Sequence, residues 1–439
     1  MMDKEKESMH LSSLFGLDKE FWLRNKSVHL ASKGAMRSWA VRGPDTSLLV
    51  LLPDQRQVRD FAADCEILEI FSRVEMLPDM PLTEDESRSE ALKVQRGGIL
   101  EKFRDEGGVM AATPASLLAP FSAGGEYYEL EQGKETSRER LLGWLSRNGY
   151  ERNELVWSPG QFVSRGSIVD IFSPSDPFPI RLEFFDDEIE SIRFFDPETQ
   201  KSLRTLYKCS LKSLISKKEV ELERFLPEEM RIIFFDPKGL DTTAENSVWL
   251  WQNLDRDKQN LVPWKKWEDL CSYFTKYRRI RVTRDVKNTT VRLSIKQFPL
   301  FRGKLRDVDH FCEDLLREGH EIQVFSESKL NLSWAESRGF KTVKGVLSEG
   351  FIDTETKKAV LTDLELSGVS LSRHRTEVIA PSDWGAGLIP GQWVVHDDYG
   401  VSRYLGPQSI GSEDGEEEYL ILQFAEDRRL LIPILHFYK

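Results

Sequence analysis

Residues 159–200 read PGQFVSRGSIVDIFSPSDPFPIRLEFFDDEIESIRFFDPETQ, with apolar-rich runs at 167–172, 180–185 and 189–195 set apart by Pro, Ser and paired Asp. Runs this short, with turn residues between them, dictate a small antiparallel meander. In the middle run, period-2 alternation sends Ile180, Leu182 and Phe184 to one face and Arg181, Glu183 and Phe185 to the other. The first set is a core face. The second fits a protein-binding hot spot, and equally a cross-strand ion pair beside one exposed aromatic ring.

The rest of the chain must supply other domains, since 439 residues is room for about three. Acidic residues outnumber basic ones 73 to 61, a net charge of −12, which argues against a broad sequence-independent grip on nucleic acid. Any DNA contact is expected to be weak or local. Cys65, Cys209, Cys271 and Cys312 are far apart and form no CxxC pair, so no zinc site or disulfide framework is written and a reducing cytoplasm fits. The longest apolar run, 48–52, is strand-sized, so no membrane contact is expected.

Taken in order, 48–52, 55–65, 87–103 and 109–112 read as strand, helix, helix and strand of a parallel α/β unit. A phosphate loop there would need GxxxxGK[ST]. The nearest stretch, LASKGAMR at 30–37, has one glycine and no Lys-Ser/Thr pair, so no ATP chemistry is expected of it. After Gly124-Gly125, a strand at 126–130 and an amphipathic helix at 137–148 join the meander in an α+β insert.

Beyond it, 230–235 is a buried strand, and Trp249, Trp251, Trp264 and Trp267 are expected to pack in the core. KYRRIRVTRDVK, 276–287, is the basic run, and a solvated edge strand is preferred to a phosphate-tracking one. Residues 301–368 alternate helix and strand, and Asp307, Asp309 and His310 are expected at a helix N-terminus with no metal. A linker follows, and then short strands at 393–396, 401–405, 419–424 and 430–434, spaced as in a small barrel.

Two stretches resemble one family. GYERNELVWSPGQFVSRGSIVDIFSPSDPFPIRLEFFDDEIESIRFFDPETQKS, 149–202, resembles the UvrA-interaction domain shared by the excision-repair protein UvrB and the bacterial transcription-repair coupling factors. PGQWVVHDDYGVSRYLG and EEEYLILQFAEDRRLLIPI resemble the RNA-polymerase-interacting, CarD-like module of the same factors, with Tyr399, Ser402 and Arg429-Leu430-Leu431 departing from its usual residues.

The resemblance implies a multidomain α/β fold in six parts: a UvrB-like α/β module at 1–122 and 213–299, an inserted α+β UvrA-interaction domain at 123–212, a small α/β domain at 300–370, a linker at 371–388 and a Tudor/SH3-like barrel at 389–439. It also implies a UvrA-binding set of Arg152, Arg165, Arg181, Glu183 and Phe185, with Val163 where UvrB has a further Arg. Arg403, Tyr404, Pro407 and Ile410 are the implied contacts with the RNA polymerase β subunit.

Function follows as an expectation: a non-catalytic adaptor joining polymerase to UvrA in nucleotide excision repair, with ATP and Mg²⁺ expected only of a motor after these residues. In that case nothing within the chain masks the UvrA-binding face. A UvrB-like ATP-dependent binder of damaged DNA and a CarD-like regulator are the alternatives.

Overall fold

The computed structural model describes residues 13–367, apart from 253–264 and breaks of one to five residues, and strands within 393–433. Two compact units result, one of 1–82, 89–129 and 210–373, the other of 83–88, 130–209 and 374–439.

The first unit begins with β1 (Ser27–His29), α1 (Ala35–Ala40), β2 (Leu48–Leu51), α2 (Gln55–Ile67), β3 (Val74–Met76), α3 (Glu86–Glu106), β4 (Val109–Ala112) and α4 (Pro114–Leu118). The strands β2 and β4 are buried on both faces, as continuous apolar runs in a parallel sheet require. Asp54 caps α2 by accepting from Gln57 N at 2.9 Å, and Thr113 and Ser116 form a reciprocal capping box on α4.

The second unit supplies α5 (Arg138–Arg147), β5 (Glu151–Arg152), β6 (Gln161–Arg165), β7 (Ile168–Ile171), β8 (Ile180–Phe185), β9 (Glu188–Phe195) and β10 (Ser202–Leu206). These strands form one sheet in the order β10-β9-β8-β7-β6-β5. The expected meander is its centre. Ile180, Leu182 and Phe184 are buried, worth about 1.5–3 kcal/mol each, and Arg181, Glu183 and Phe185 take the opposite face.

The chain then returns to the first unit with β11 (Arg231–Phe235), α6 (Pro237–Gln252), α7 (Trp267–Tyr273), β12 (Arg278–Thr283) and β13 (Val291–Arg292). The completed sheet runs β13-β1-β12-β11-β2-β4-β3, with every neighbouring pair parallel. The basic run is therefore corrected: β12 is no edge strand but lies between β1 and β11. Its alternation reports two faces, not the absence of neighbours.

The tryptophans also divide. Trp267 is buried and donates to Asp241 Oδ1 at 2.9 Å, whereas Trp249 is 61% exposed and is no core residue. The Trp251 side chain and Trp264 lie outside the described residues.

Next come β14 (Ile295–Gln297), α8 (Leu305–Arg317), β15 (Glu321–Ser326), α9 (Lys329–Ser337), β16 (Lys341–Lys344), β17 (Phe351–Asp353) and β18 (Lys358–Leu361), in the sheet order β14-β17-β18-β15-β16. One face has its own core of Val308, Cys312, Ile322, Val324 and Ala359. The other puts Phe325, Leu347, Phe351 and Val360 into the core of the first sheet with Val28, Met36 and Phe61, so 300–370 has a sheet of its own but shares a core. Asp309 pairs with Arg338 through two hydrogen bonds, while Asp307 and His310 stay exposed.

In the second unit, β19 (Trp393–His396), β20 (Gly400–Ser412), β21 (Gly415–Gln423) and β22 (Arg429–Pro433) form an antiparallel meander in sequence order. Among the described residues no pairing joins β22 back to β19.

Candidate protein-interaction site

Strand register assigns the side chains of the inserted sheet to faces. Val163, Asp170, Arg181, Arg193 and Thr205 lie in one row across five strands. Arg165, Ile168, Glu183 and Ser191 form the next row, and Phe185 stands opposite Glu188 at the strand end. The opposite face is packed by α5, whose Leu141 and Leu145 are buried and whose Arg138 donates to Ser164 Oγ at 2.6 Å.

Arg181 donates from Nε and Nη2 to Asp170 at 2.6 and 2.8 Å and to Gln200 Oε1 at 2.8 Å, with its guanidinium 4.3 Å from the Phe195 ring centre. The hydrogen bond to Asp170 raises the Arg181 pKa above the ordinary arginine value, against an opposing effect of burial. Glu183 accepts from Arg193 at 2.5 and 2.9 Å and from Ser191 at 2.8 Å, which lowers its pKa. The two charged members of the expected hot spot are thus engaged within the sheet. The ion-pair reading of this face holds for them.

Phe185 differs. It is 71% exposed, and the turn after it is fixed by Asp186 at φ +53° and by Asp187, whose Oδ1 accepts from Arg138 N at 3.4 Å. Arg165 is exposed as well and donates to the Glu154 carbonyl. Val163 is buried against Val156 and Phe172, so an arginine there would be a buried charge.

Arg152 does not join this face. It pairs in register with Phe162, whose row continues through the buried Ile171 and Ile180, and it projects on the other side at the parallel edge strand. Asp170 and Arg193, which hold Arg181 and Glu183, were missed from the sequence. Asp170, a carboxylate inside the apolar run IVDIF, was the available signal.

In the C-terminal sheet Arg403 is exposed, but Tyr404 is 2% exposed and burial raises its pKa, so its ring packs the fold and offers no contact surface. Pro407 and Ile410 lie on β20 opposite Leu420 and Glu417, while their side chains fall outside the described residues, as does Tyr399. Pairing with β19 covers only residues 400–403 of β20. Among the described residues, the remainder of β20 has a strand on one side only.

At the stretch tested for a phosphate loop, Ala31–Lys33 lie outside the described residues. Gly34 has φ +62°, and a side chain there would meet Ser348 Oγ at 2.7 Å. Ser348 N donates to the buried Asp64 at 2.9 Å, seating the 348–349 loop against α1 and α2. Arg37 lies 5.3 Å from the Phe235 ring centre, with its pKa lowered to about 10 by burial against the counter-pull of Asp236. A cavity of about 290 Å³ remains beside it, lined by Asp54, Gln57, Phe61 and Glu349 among others.

With this geometry in place, two family models match: the UvrB interaction domain over residues 128–213 and the CarD-like/TRCF RID domain over 388–438. Together they define a class, a chain that carries a repair-protein interaction domain and a polymerase-regulator-type domain.

Its relatives are transcription-repair-coupling factors. That of Escherichia coli K12 is 23% identical over 394 residues, covering 70% of this chain and 34% of the relative. That of Haemophilus influenzae is 24% identical over 397 residues with the same coverage, and that of Bacillus subtilis is 27% identical over 195 residues, covering 43% and 16%. Over these stretches the chain is similar to the transcription-repair-coupling factors, and it spans about a third of the length of the first two relatives.

Proposed function

We propose that the chain is an adaptor that binds UvrA through the inserted sheet and RNA polymerase through the C-terminal sheet, linking stalled transcription to nucleotide excision repair. The observation that carries this reading is the presence of both domain matches on one chain, at 128–213 and 388–438. Phe185, 71% exposed on the face left open by α5, where Arg165 lies two strands away, is the UvrA anchor, because hot spots are built on aromatic and arginine side chains.

The C-terminal meander curls into a Tudor-like barrel. Its β20 edge around Pro407 and Ile410 adds to a sheet of the polymerase β subunit, as a half-paired strand can. The chain works by tethering, which raises the effective concentration of one partner at the other, and needs no ATP turnover of its own.

The test is solution binding of the purified chain to UvrA and to core polymerase. Phe185→Ala should weaken UvrA binding by about 30-fold or more, the loss of a hot-spot side chain, and leave polymerase binding unchanged. Ile410→Asp should do the reverse. Wild-type UvrA affinity in Phe185→Ala would sink the anchor assignment, and ATP hydrolysis by the chain alone would sink the tethering mechanism.

A further inference from the structure

The parallel sheet of the first unit exposes a group of arginines that neither interaction domain uses. In β12, Arg279 is in register with Ile232 and Arg281 with Phe234, and both partners belong to the core that α6 and α7 cover. Arg279 and Arg281 therefore continue that covered face outward. Arg281 is next in register with Ser27 on β1, and Thr283 with His29, which pairs with Arg292 on β13. The row thus runs off the helix-covered half of the sheet and ends at its edge.

Arg281 and Arg292 are exposed, Arg279 is half-buried and His29 is buried. Among the described residues no carboxylate forms an ion pair with any of the three arginines. Asp241 and Glu268 act on the Cys271 thiol, as Arg281 and Arg279 do, and Asp241 is taken by Trp267. The cations act on each other instead. Burial and then Arg281 lower the Arg279 pKa, and burial and then Arg292 lower that of His29.

Residues two apart on a strand are about 6.6 Å apart and neighbouring strands about 4.8 Å, so the arginines span about 10 Å across the strands and about 13 Å along them. A chain of net charge −12 that gathers unanswered cations in one patch has a local site for an anion of matching extent.

We propose that Arg279, Arg281 and Arg292 hold the phosphate backbone of duplex DNA without reading its sequence. Duplex is favoured over single strands or RNA loops because those are held by base stacking, and the aromatic ring next along this face, Tyr277, is 5% exposed and buried in the core. Backbone contact alone positions a protein on DNA and leaves sequence unread. The surface is independent of the UvrA and polymerase assignments.

The test uses the full chain and a labelled duplex of arbitrary sequence at about 50 mM salt, where phosphate contacts dominate. Wild-type protein should bind, with log affinity falling against log salt at a slope of about 2 to 3, as about three phosphate contacts require. The double reversal Arg281→Glu/Arg292→Glu should lose at least about tenfold in affinity and about 2 in slope. Arg317→Glu/Lys341→Glu makes the same change of net charge at two exposed sites elsewhere, and should bind as wild type.

Circular dichroism checks folding. Should the reversal not fold, Arg281→Gln/Arg292→Gln is read in its place, with the same direction expected. No binding by wild type, equal binding by the arginine variant, or an equal loss in the control would each overturn the proposal. Tighter binding of a stem-loop RNA than of duplex would overturn the assignment to DNA.

Discussion

β8 and β12 look alike on paper: IRLEFF and RRIRVT both contain alternating charged and apolar residues and both carry arginine on one face. In the inserted sheet Arg181 is answered by Asp170 one strand away, and Glu183 by Arg193 on the other side. In the parallel sheet Arg279 and Arg281 have each other as neighbours. The difference teaches that an arginine's use is decided by what stands across from it. Answered charges hold a sheet together, and unanswered ones are free for a partner.

The comparison breaks most easily at Asp170. It is 5% exposed and accepts two of the three hydrogen bonds of Arg181, so Asp170→Ala leaves a half-buried guanidinium short of its counter-ion and should cost about 3 kcal/mol. Urea unfolding of the chain, followed through the inserted unit, measures it. A cost below about 1 kcal/mol would mean the pair is incidental and the contrast between the two strands empty.

A smaller effect is expected at Asp176 in the β7–β8 turn, a partly buried carboxyl whose Oδ2 has no hydrogen-bond partner among the described residues. Burial pushes its pKa up to about 7, above the ordinary 3.8. A carboxyl raised on folding favours the fold below its ordinary value, and that contribution is lost as pH rises through 7. Asp176→Asn should therefore be more stable than wild type at pH 8, by about 2 kcal/mol allowing for partial exposure, and lose this advantage near pH 4. A difference independent of pH would show that Asp176 is answered after all.

Below this comes Arg193→Ala, which frees the half-exposed Glu183 and should cost about 0.5–1 kcal/mol at neutral pH. The hydrogen bonds from Arg193 and Ser191 depress the Glu183 pKa, so the contribution is present at neutral pH and lost as pH falls through the folded value. Thermal melts of wild type and variant should converge in acid. Parallel melts across the range would remove Arg193 from the ladder.

Much of the architecture is legible in the residues because it depends on local periodicity. Alternation in 180–185 assigns both faces of β8, and the apolar runs at β2, β4 and β11 announce strands buried on both sides. Neighbours are not local. That β12 lies inside a sheet, that Arg152 shares a row with Phe162, and that Tyr404 points inward are matters of pairing with strands far off in the chain. The candidate site was half legible for the same reason. Phe185 shows in the alternation, but the partners that engage Arg181 and Glu183 come from β7 and β9.

Arg281 carries the smallest stability prediction and the sharpest one. It is exposed in an interior strand and is placed against Arg279, so replacing it with threonine keeps a β-favouring side chain and removes a repulsion. Arg281→Thr should change unfolding free energy by no more than about 0.5 kcal/mol, with a small gain as the favoured sign, while duplex affinity at low salt falls. An arginine like Arg181 would show the opposite pattern, a loss of stability through its broken pair. A cost above about 1.5 kcal/mol at Arg281 would reveal a structural partner and place both arginines in one class.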